Sequence, residues 1–238
     1  IYPFSINGPN PLLANEIVTD VSCFGYDNGS IILNPSSDAS PFTFVWDTTT
    51  SVPGSSTASF QSSLQPGTYT VTITDADGCE ITNDIIVDEP EAITASISFI
   101  SPLCYGDANG SATVTASGGL GGWNFSWIPI GGNSATANNL SAGVYTVNIT
   151  DNNGCPASFS VTVTEPAELI SSLAPNLFYN EDNLGNPYHI SCFGASDGSA
   201  VVTNGGGVPP ITYSWSSGGA LQEETGISAG PVTVTVTD

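Results

Sequence analysis

Apolar and polar residues alternate between Gly67 and Asp75. Tyr69, Val71 and Ile73 take one phase; Thr70, Thr72 and Thr74 take the other. A period of two buries one face and wets the other, which predicts a half-buried strand. Asp75-Ala76-Asp77-Gly78 supplies turn chemistry at its end, and Cys79 follows at once. The same pattern returns from Gly143 to Cys155 and from Gly230 to Asp238. A second stretch, Cys23-Phe24-Gly25-Tyr26-Asp27-Asn28-Gly29-Ser30, recurs from Cys104 to Ser111 and from Cys192 to Ser199. A tryptophan follows each of these cysteines by 23 positions, at Trp46, Trp127 and Trp215. Self-similarity at this period marks a tandem array, to be read unit by unit.

In the first copy the pattern predicts strands near 14–21, 29–34, 41–47, 56–63, 68–75 and 80–88. Thr, Val, Ile, Ser and Tyr dominate, Gly and Pro punctuate, and no window has a helical period. Six or seven short strands in a unit of this size predict an immunoglobulin-like β-sandwich. The expected fold is all-β: tandem immunoglobulin-like β-sandwich repeats forming an elongated array. Residues 1–10 read as the end of a preceding repeat and a linker, since Phe4 and Ile6 precede Pro9 as Ile85 and Val87 precede Pro90. Repeats are expected at 11–90, 91–166 and 167–238, the third lacking its last strand and carrying an insertion near Asn176 to Tyr188.

Phe42, Phe44 and Trp46 share one strand face, as do Trp123, Phe125 and Trp127, and Ile211, Tyr213 and Trp215. An exposed stripe would be a sugar-stacking platform. Its recurrence in the third strand of every copy favours core packing. Trp46, Trp127, Trp215, Tyr69 and Tyr145 are therefore expected as core anchors.

Charge narrows the function classes. The chain has no Lys or Arg against 22 acidic residues, a net charge of −22. Phosphate binding needs basic side chains, so nucleic acid is excluded as a partner, and so is electrostatic docking on an anionic membrane. No apolar run is long enough for a membrane-spanning helix. Trypsin-like proteases find no cleavage site. A catalytic reading fails on the same inventory. His189 is the only histidine, no Ser/His/Asp set recurs, and an active site is rarely copied into every unit of an array. The chain is not expected to be an enzyme.

Five cysteines, Cys23, Cys79, Cys104, Cys155 and Cys192, sit in turns at positions locked to the repeat. This argues for an oxidising, extracytoplasmic setting. Each complete copy holds one early and one late cysteine, so Cys23–Cys79 and Cys104–Cys155 are the expected bonds, with the partner of Cys192 outside the chain. Strand parity leaves a second pairing open. Seven strands place the two cysteines of a copy at opposite ends, and the bond then bridges neighbouring copies, as Cys23–Cys155. Calcium is the one cofactor candidate. Asp-x-[Asp/Asn]-Gly turns offer oxygen ligands, with Asp27, Asp75 and Asp77 in one copy and Asp107, Asp151 and Asn153 in the next. The alternative is an Asx turn without metal.

The succession C-x-G-x-x-x-G-S, aromatic-x-W, G-x-Y-x-V-x-I-T-D-x-x-G-C and E-P resembles the SprB-type repeat of large cell-surface gliding adhesins of Bacteroidota. The resemblance covers almost the whole chain. Val232 in place of the strand tyrosine and the insertion in the third copy depart from it. It implies export by the type IX secretion machinery, an extracellular cell-surface location, and a structural and adhesive stalk. The implied partners are neighbouring repeats of the same chain and a surface polysaccharide or the substratum. A carbohydrate-binding ancillary module of a secreted enzyme is the alternative.

Overall fold

The computed structural model describes residues 8, 10–47, 55–56, 58–176, 180–181 and 187–238. Phe4, Ile6 and Pro9, on which the reading of residues 1–10 rests, lie outside them. Among the described residues no helix is long and apolar enough to cross a membrane.

The first copy contains β1 (Glu16–Thr19), β2 (Gly29–Leu33), β3 (Phe42–Trp46), β4 (Ser55–Ser56), β5 (Ser59–Leu64), β6 (Gly67–Thr74) and β7 (Glu80–Val87). They form two sheets, β1-β2-β5 and β4-β3-β6-β7, with antiparallel pairing throughout. The alternation decides which face is inside. Ile31, Leu33 and Leu64 of one sheet and Phe42, Phe44, Trp46, Val71, Ile73, Ile85 and Val87 of the other close a single core. This is a β-sandwich. The opposite phase carries threonine. Thr72 Oγ1 lies 3.1 Å from Thr82 Oγ1 across β6 and β7, and Thr70 Oγ1 donates to the Asp84 carboxylate at 2.7 Å. In a chain without Lys or Arg, hydroxyl pairs take the cross-strand positions that opposite charges often hold.

The second copy contains β8 (Thr94–Ile100), β9 (Gly110–Ser117), β10 (Asn124–Ile128), β11 (Thr136–Leu140), β12 (Gly143–Thr150) and β13 (Pro156–Val163), in sheets β11-β9-β8 and β10-β12-β13. The third contains β14 (Ile170–Pro175), β15 (Asn180–Glu181), β16 (Pro187–Tyr188), β17 (Gly198–Gly205), β18 (Thr212–Trp215), β19 (Glu223–Ile227) and β20 (Val234–Thr237). Its sheets are β14-β17-β19 and β18-β20, with β15-β16 an added hairpin in the inserted segment. Where β6 has neighbours on both sides, β20 pairs with β18 alone, and Val234 and Val236 are only half-buried.

The aromatic stripe is core. Phe42, Phe44, Trp46, Trp127 and Trp215 are buried, and Trp123, Phe125, Ile211 and Tyr213 half-buried. Tyr145 is buried and Tyr69 half-buried, each with a bond back along the chain. The Tyr69 hydroxyl donates to the Gln65 carbonyl at 2.8 Å and that of Tyr145 to the Ser141 carbonyl at 3.0 Å. This ties the loop before the strand to the strand, as the tyrosine corner of immunoglobulin-like domains does. Tyr145→Phe should cost about 1 kcal/mol, the net value of one such bond. Urea unfolding checks it, and an unchanged midpoint would mean that the loop is held without the hydroxyl.

Two compact units divide the chain. One is Ile1–Ser96 with Thr115–Asn124 and Asn148–Ser158; the other is Ile97–Val114, Phe125–Val147 and Phe159–Asp238. The first unit thus holds the first copy and one end of the second. The other holds the rest of the second copy and the third.

Candidate functional site

Every copy has two unlike ends. In the first, the Cys23 turn joins β1 to β2, and the segment after β7 lies against it. Val21 N–H donates to the Asp88 carbonyl at 2.9 Å and Gly25 N–H to the Glu89 carboxylate at 2.7 Å. This is the trailing end, where the chain leaves the copy. Cys79 lies in the β6–β7 hairpin at the other, leading end, where Ala76 N–H reaches the Ala39 carbonyl at 3.2 Å. Strands β6 and β7 each have eight residues, so roughly 26 Å of strand separates the two turns at about 3.3 Å per residue. A disulfide needs Cα atoms about 4.4–6.8 Å apart. The expected pair Cys23–Cys79 is therefore corrected, and Cys104–Cys155 with it. The bond in the structure is Cys23–Cys155, with Cα atoms 5.5 Å apart. Cys79, Cys104 and Cys192 are exposed free thiols.

The bond joins the trailing end of the first copy to the leading end of the second. Polar contacts surround it. The Asn153 side-chain amide donates to the Ser22 carbonyl at 2.6 Å, and Gly119 N–H to the Glu91 carbonyl at 2.9 Å. Phe24 and Tyr26 line a groove with Ile93, Pro156 and Ala157. Gly118 makes a close backbone approach. Its φ is +77°, and a Cβ there would stand 2.1 Å from the Ala92 carbonyl oxygen, so no other residue fits without strain.

The Asp-x-x-Gly turn that presents Cys155 is wired through its aspartate. Asp151 Oδ1 accepts from the N–H groups of Asn153 and Cys155, both at 2.9 Å, and Oδ2 from Leu120 N–H at 3.0 Å. Asp75 repeats this at the leading end of the first copy. Its carboxylate accepts from the N–H groups of Asp77 at 3.1 Å and Cys79 at 2.9 Å, and from the Ser37 hydroxyl at 3.1 Å. These are Asx turns whose carboxylate oxygens are already occupied. The calcium set needed Cys23 bonded to Cys79. Without that bond, Asp27 stays at the trailing end, away from Asp75 and Asp77. Asn153 serves the junction instead. Among the described residues no group of three or more His, Cys, Asp or Glu side chains is placed to hold a metal. Thermal unfolding at fixed ionic strength should give the same midpoint in calcium as in EGTA. A shift of several degrees on chelation would restore the metal reading.

The Leu120 N–H, with those of Cys155, Asn153 and Gly154, holds the Asp151 carboxyl below the usual carboxylate range against the opposing effect of burial. A lowered folded-state value stabilises the fold fully above the ordinary value of about 3.9 and loses that stability as pH falls through the folded value. Urea midpoints of the wild type and Asp151→Asn should therefore differ most above about pH 4 and converge below it. Parallel curves would show that the charge of Asp151 does not matter.

A family model described as the SprB repeat matches residues 15–51, 97–132 and 188–220. The chain carries three copies of the SprB repeat. Each matched segment runs from before the early cysteine to past the tryptophan, so the aspartate turns at Asp75 and Asp151 fall outside it. No curated protein matches the chain. Solved structures similar to these SprB repeats include a C-terminal 282-residue fragment of intimin in complex with the translocated intimin receptor's intimin-binding domain. It is 16% identical, with a TM-score of 0.35, over 71% of this chain and 67% of that one. The fibronectin(III)-like modules of Clostridium thermocellum CbhA are 14% identical at TM-score 0.24, over 63% of this chain and 95% of that one. The N-terminal four Ig domains of Dscam1 isoform 6.44 are 13% identical at TM-score 0.23, over 95% of this chain and 65% of that one.

Sequence reasoning foresaw the SprB cysteine turns, the aromatic strands and both tyrosines. It missed Asn153 as a junction residue and Gly118 as a contact. The signal for the second was present. Gly118-Gly119 and Gly206-Gly207 stand in register twelve positions after the glycine of the cysteine turn, where the first copy has Ser37-Asp38.

Proposed function

We propose that these SprB repeats form a stalk segment of a large secreted cell-surface adhesin, holding an adhesive part of the protein away from the cell. The observation that carries this reading is the covalent Cys23–Cys155 junction, which ties one copy to the next. A spacer needs successive units that keep their relation under load, and no chemistry beyond that. A disulfide also fits an oxidising, extracytoplasmic location. Export by the type IX machinery and a role in gliding on a substratum belong to the same reading, and rest on the family resemblance.

The alternative, a carbohydrate-binding module, makes an opposite demand. It needs exposed aromatics that grip a sugar; Phe24, Tyr105 and Phe193 recur in register beside the early cysteines and are exposed, as are Tyr26, Phe60 and Phe99. The full chain applied to a glycan array separates the two. A spacer leaves every glycan unbound. Saturable binding that disappears in Tyr105→Ala or Phe193→Ala would replace the stalk by a lectin.

A further inference from the structure

The linker between the second and third copies is held on both sides by the same bonds as the linker beside Cys23–Cys155. Around Cys104, Gly106 N–H donates to the Glu165 carboxylate at 2.8 Å, as Gly25 N–H does to Glu89 at 2.7 Å. Gly207 N–H donates to the Ala167 carbonyl at 2.9 Å, as Gly119 N–H does to Glu91 at 2.9 Å. Asp238 Oδ2 accepts from Val208 N–H at 2.8 Å, as Asp151 Oδ2 does from Leu120 N–H at 3.0 Å. Gly206 approaches the Glu168 carbonyl as Gly118 approaches that of Ala92, and both have positive φ. The rings beside the early cysteines differ in exposure. Phe24 is 57% exposed and Tyr105 53%, whereas Phe193 is 106% exposed. At the cysteine itself the turns part: Cys23 is buried in its bond, whereas Cys104 and Cys192 are exposed.

We propose that Cys23–Cys155 is one rung of a repeating covalent ladder. Its rule is that the early cysteine of each copy bonds the late cysteine of the copy that follows. Under this rule Cys104 takes a cysteine held four residues beyond Asp238, where Cys155 stands relative to Asp151. Cys79 takes the early cysteine of a copy packed on the leading end of the first, and Cys192 the late cysteine of a copy packed on the trailing end of the third. A cysteine never bonds its own copy's partner, because strand length keeps the two apart. Closure is a thiol–disulfide exchange with a disulfide oxidant. The Cys104 thiol gives its proton to solvent, and the thiolate attacks one oxidant sulfur and expels the other as a thiolate. The second cysteine, also deprotonated, then attacks Cys104 Sγ and releases the remaining oxidant thiolate. Two thiols are oxidised to one disulfide, and one disulfide is reduced to two thiols. The ladder is independent of what the stalk presents, and a lectin built of these copies would have it too.

Two experiments on the full chain test the rule. In the first, Cys23→Ser frees Cys155, and the protein is oxidised with glutathione disulfide, alkylated and mapped without reduction. Digestion uses chymotrypsin, since trypsin has no site. Cys155 and Cys104 should both be recovered unlinked to each other, and a Cys104–Cys155 peptide would overturn the ladder. In the second, the chain is extended after Asp238 by its own residues 152–166, which add the Asn-Asn-Gly-Cys turn and a strand. The cysteine of the appended segment should link to Cys104, and Cys104 should lose its alkylation. Linkage to Cys192, or a free Cys104 in an extended chain whose Cys23–Cys155 bond has formed, would refute it. Cys104→Ser in the extended chain should leave the appended cysteine alkylated.

Discussion

Cys23→Ser should destabilise the first two copies by about 5 kcal/mol, the chain-entropy value for so long a loop. The residues it joins are 132 apart in sequence, so the open chain gains more freedom than a short loop would. Cys155→Ser should cost as much, and the double variant no more than either, because both remove one bond. Urea unfolding followed by tryptophan fluorescence reads the effect. Loss of cooperativity is the second signature. The wild type should unfold Trp46 and Trp127 together, whereas the variant should release them in separate steps. An unchanged midpoint with a single transition would mean that contacts such as the Asn153–Ser22 bond hold the copies together without the sulfur bridge.

Trp127→Ala is expected to cost about 3–5 kcal/mol, the range for truncating a buried aromatic. Trp127 is nearly inaccessible, and its Nε1–H donates to the Ser134 carbonyl at 3.0 Å. Its Cβ sits so close to Gly131 that a side chain on that glycine would clash at 2.9 Å. The hole left by alanine cannot fill from the strand, since Ala137 on the same side is already fully buried. Trp127→Phe keeps most of the volume and loses the hydrogen bond, leaving the Ser134 carbonyl without that donor, so about 1–3 kcal/mol is expected. The pair separates packing from hydrogen bonding. Equal losses in the two variants would assign the whole effect to the Nε1–H bond. Trp215 makes the matching bond to the Leu221 carbonyl at 2.7 Å, so Trp215→Phe should follow Trp127→Phe.

The strands were legible because burial acts on alternate residues. Val71, Ile73, Val147 and Ile149 have no exposed surface, and their threonine and asparagine neighbours remain reachable. β4 was missed because two serines carry no alternation at all. The cysteine pairing was harder for a geometric reason. Sequence repetition shows that Cys23 and Cys79 belong to one unit but is silent on which end of a strand each turn occupies. That depends on strand parity, and β4 is the strand that changes the count. Once the pairing moved, the aspartate set moved with it, because Asp27 and Asp75 were to be joined only through that bond. The glycine pairs were visible as residues but not as contacts. A backbone approach between segments such as Gly118 and Ala92 leaves no periodic trace.

The bond between unlike ends of the first two copies decides how a pull travels. Tension entering ahead of Cys23 crosses the sulfur bridge and leaves from Cys155, so β2 through β12 carry none of it. With 132 residues spanned and about 3.3–3.6 Å of reach per extended residue, roughly 440–470 Å of contour is withheld while the bridge is closed. After reduction that length is released as the copies unfold under the load. The same chain is then a short inextensible link in an oxidising medium and a long yielding tether in a reducing one.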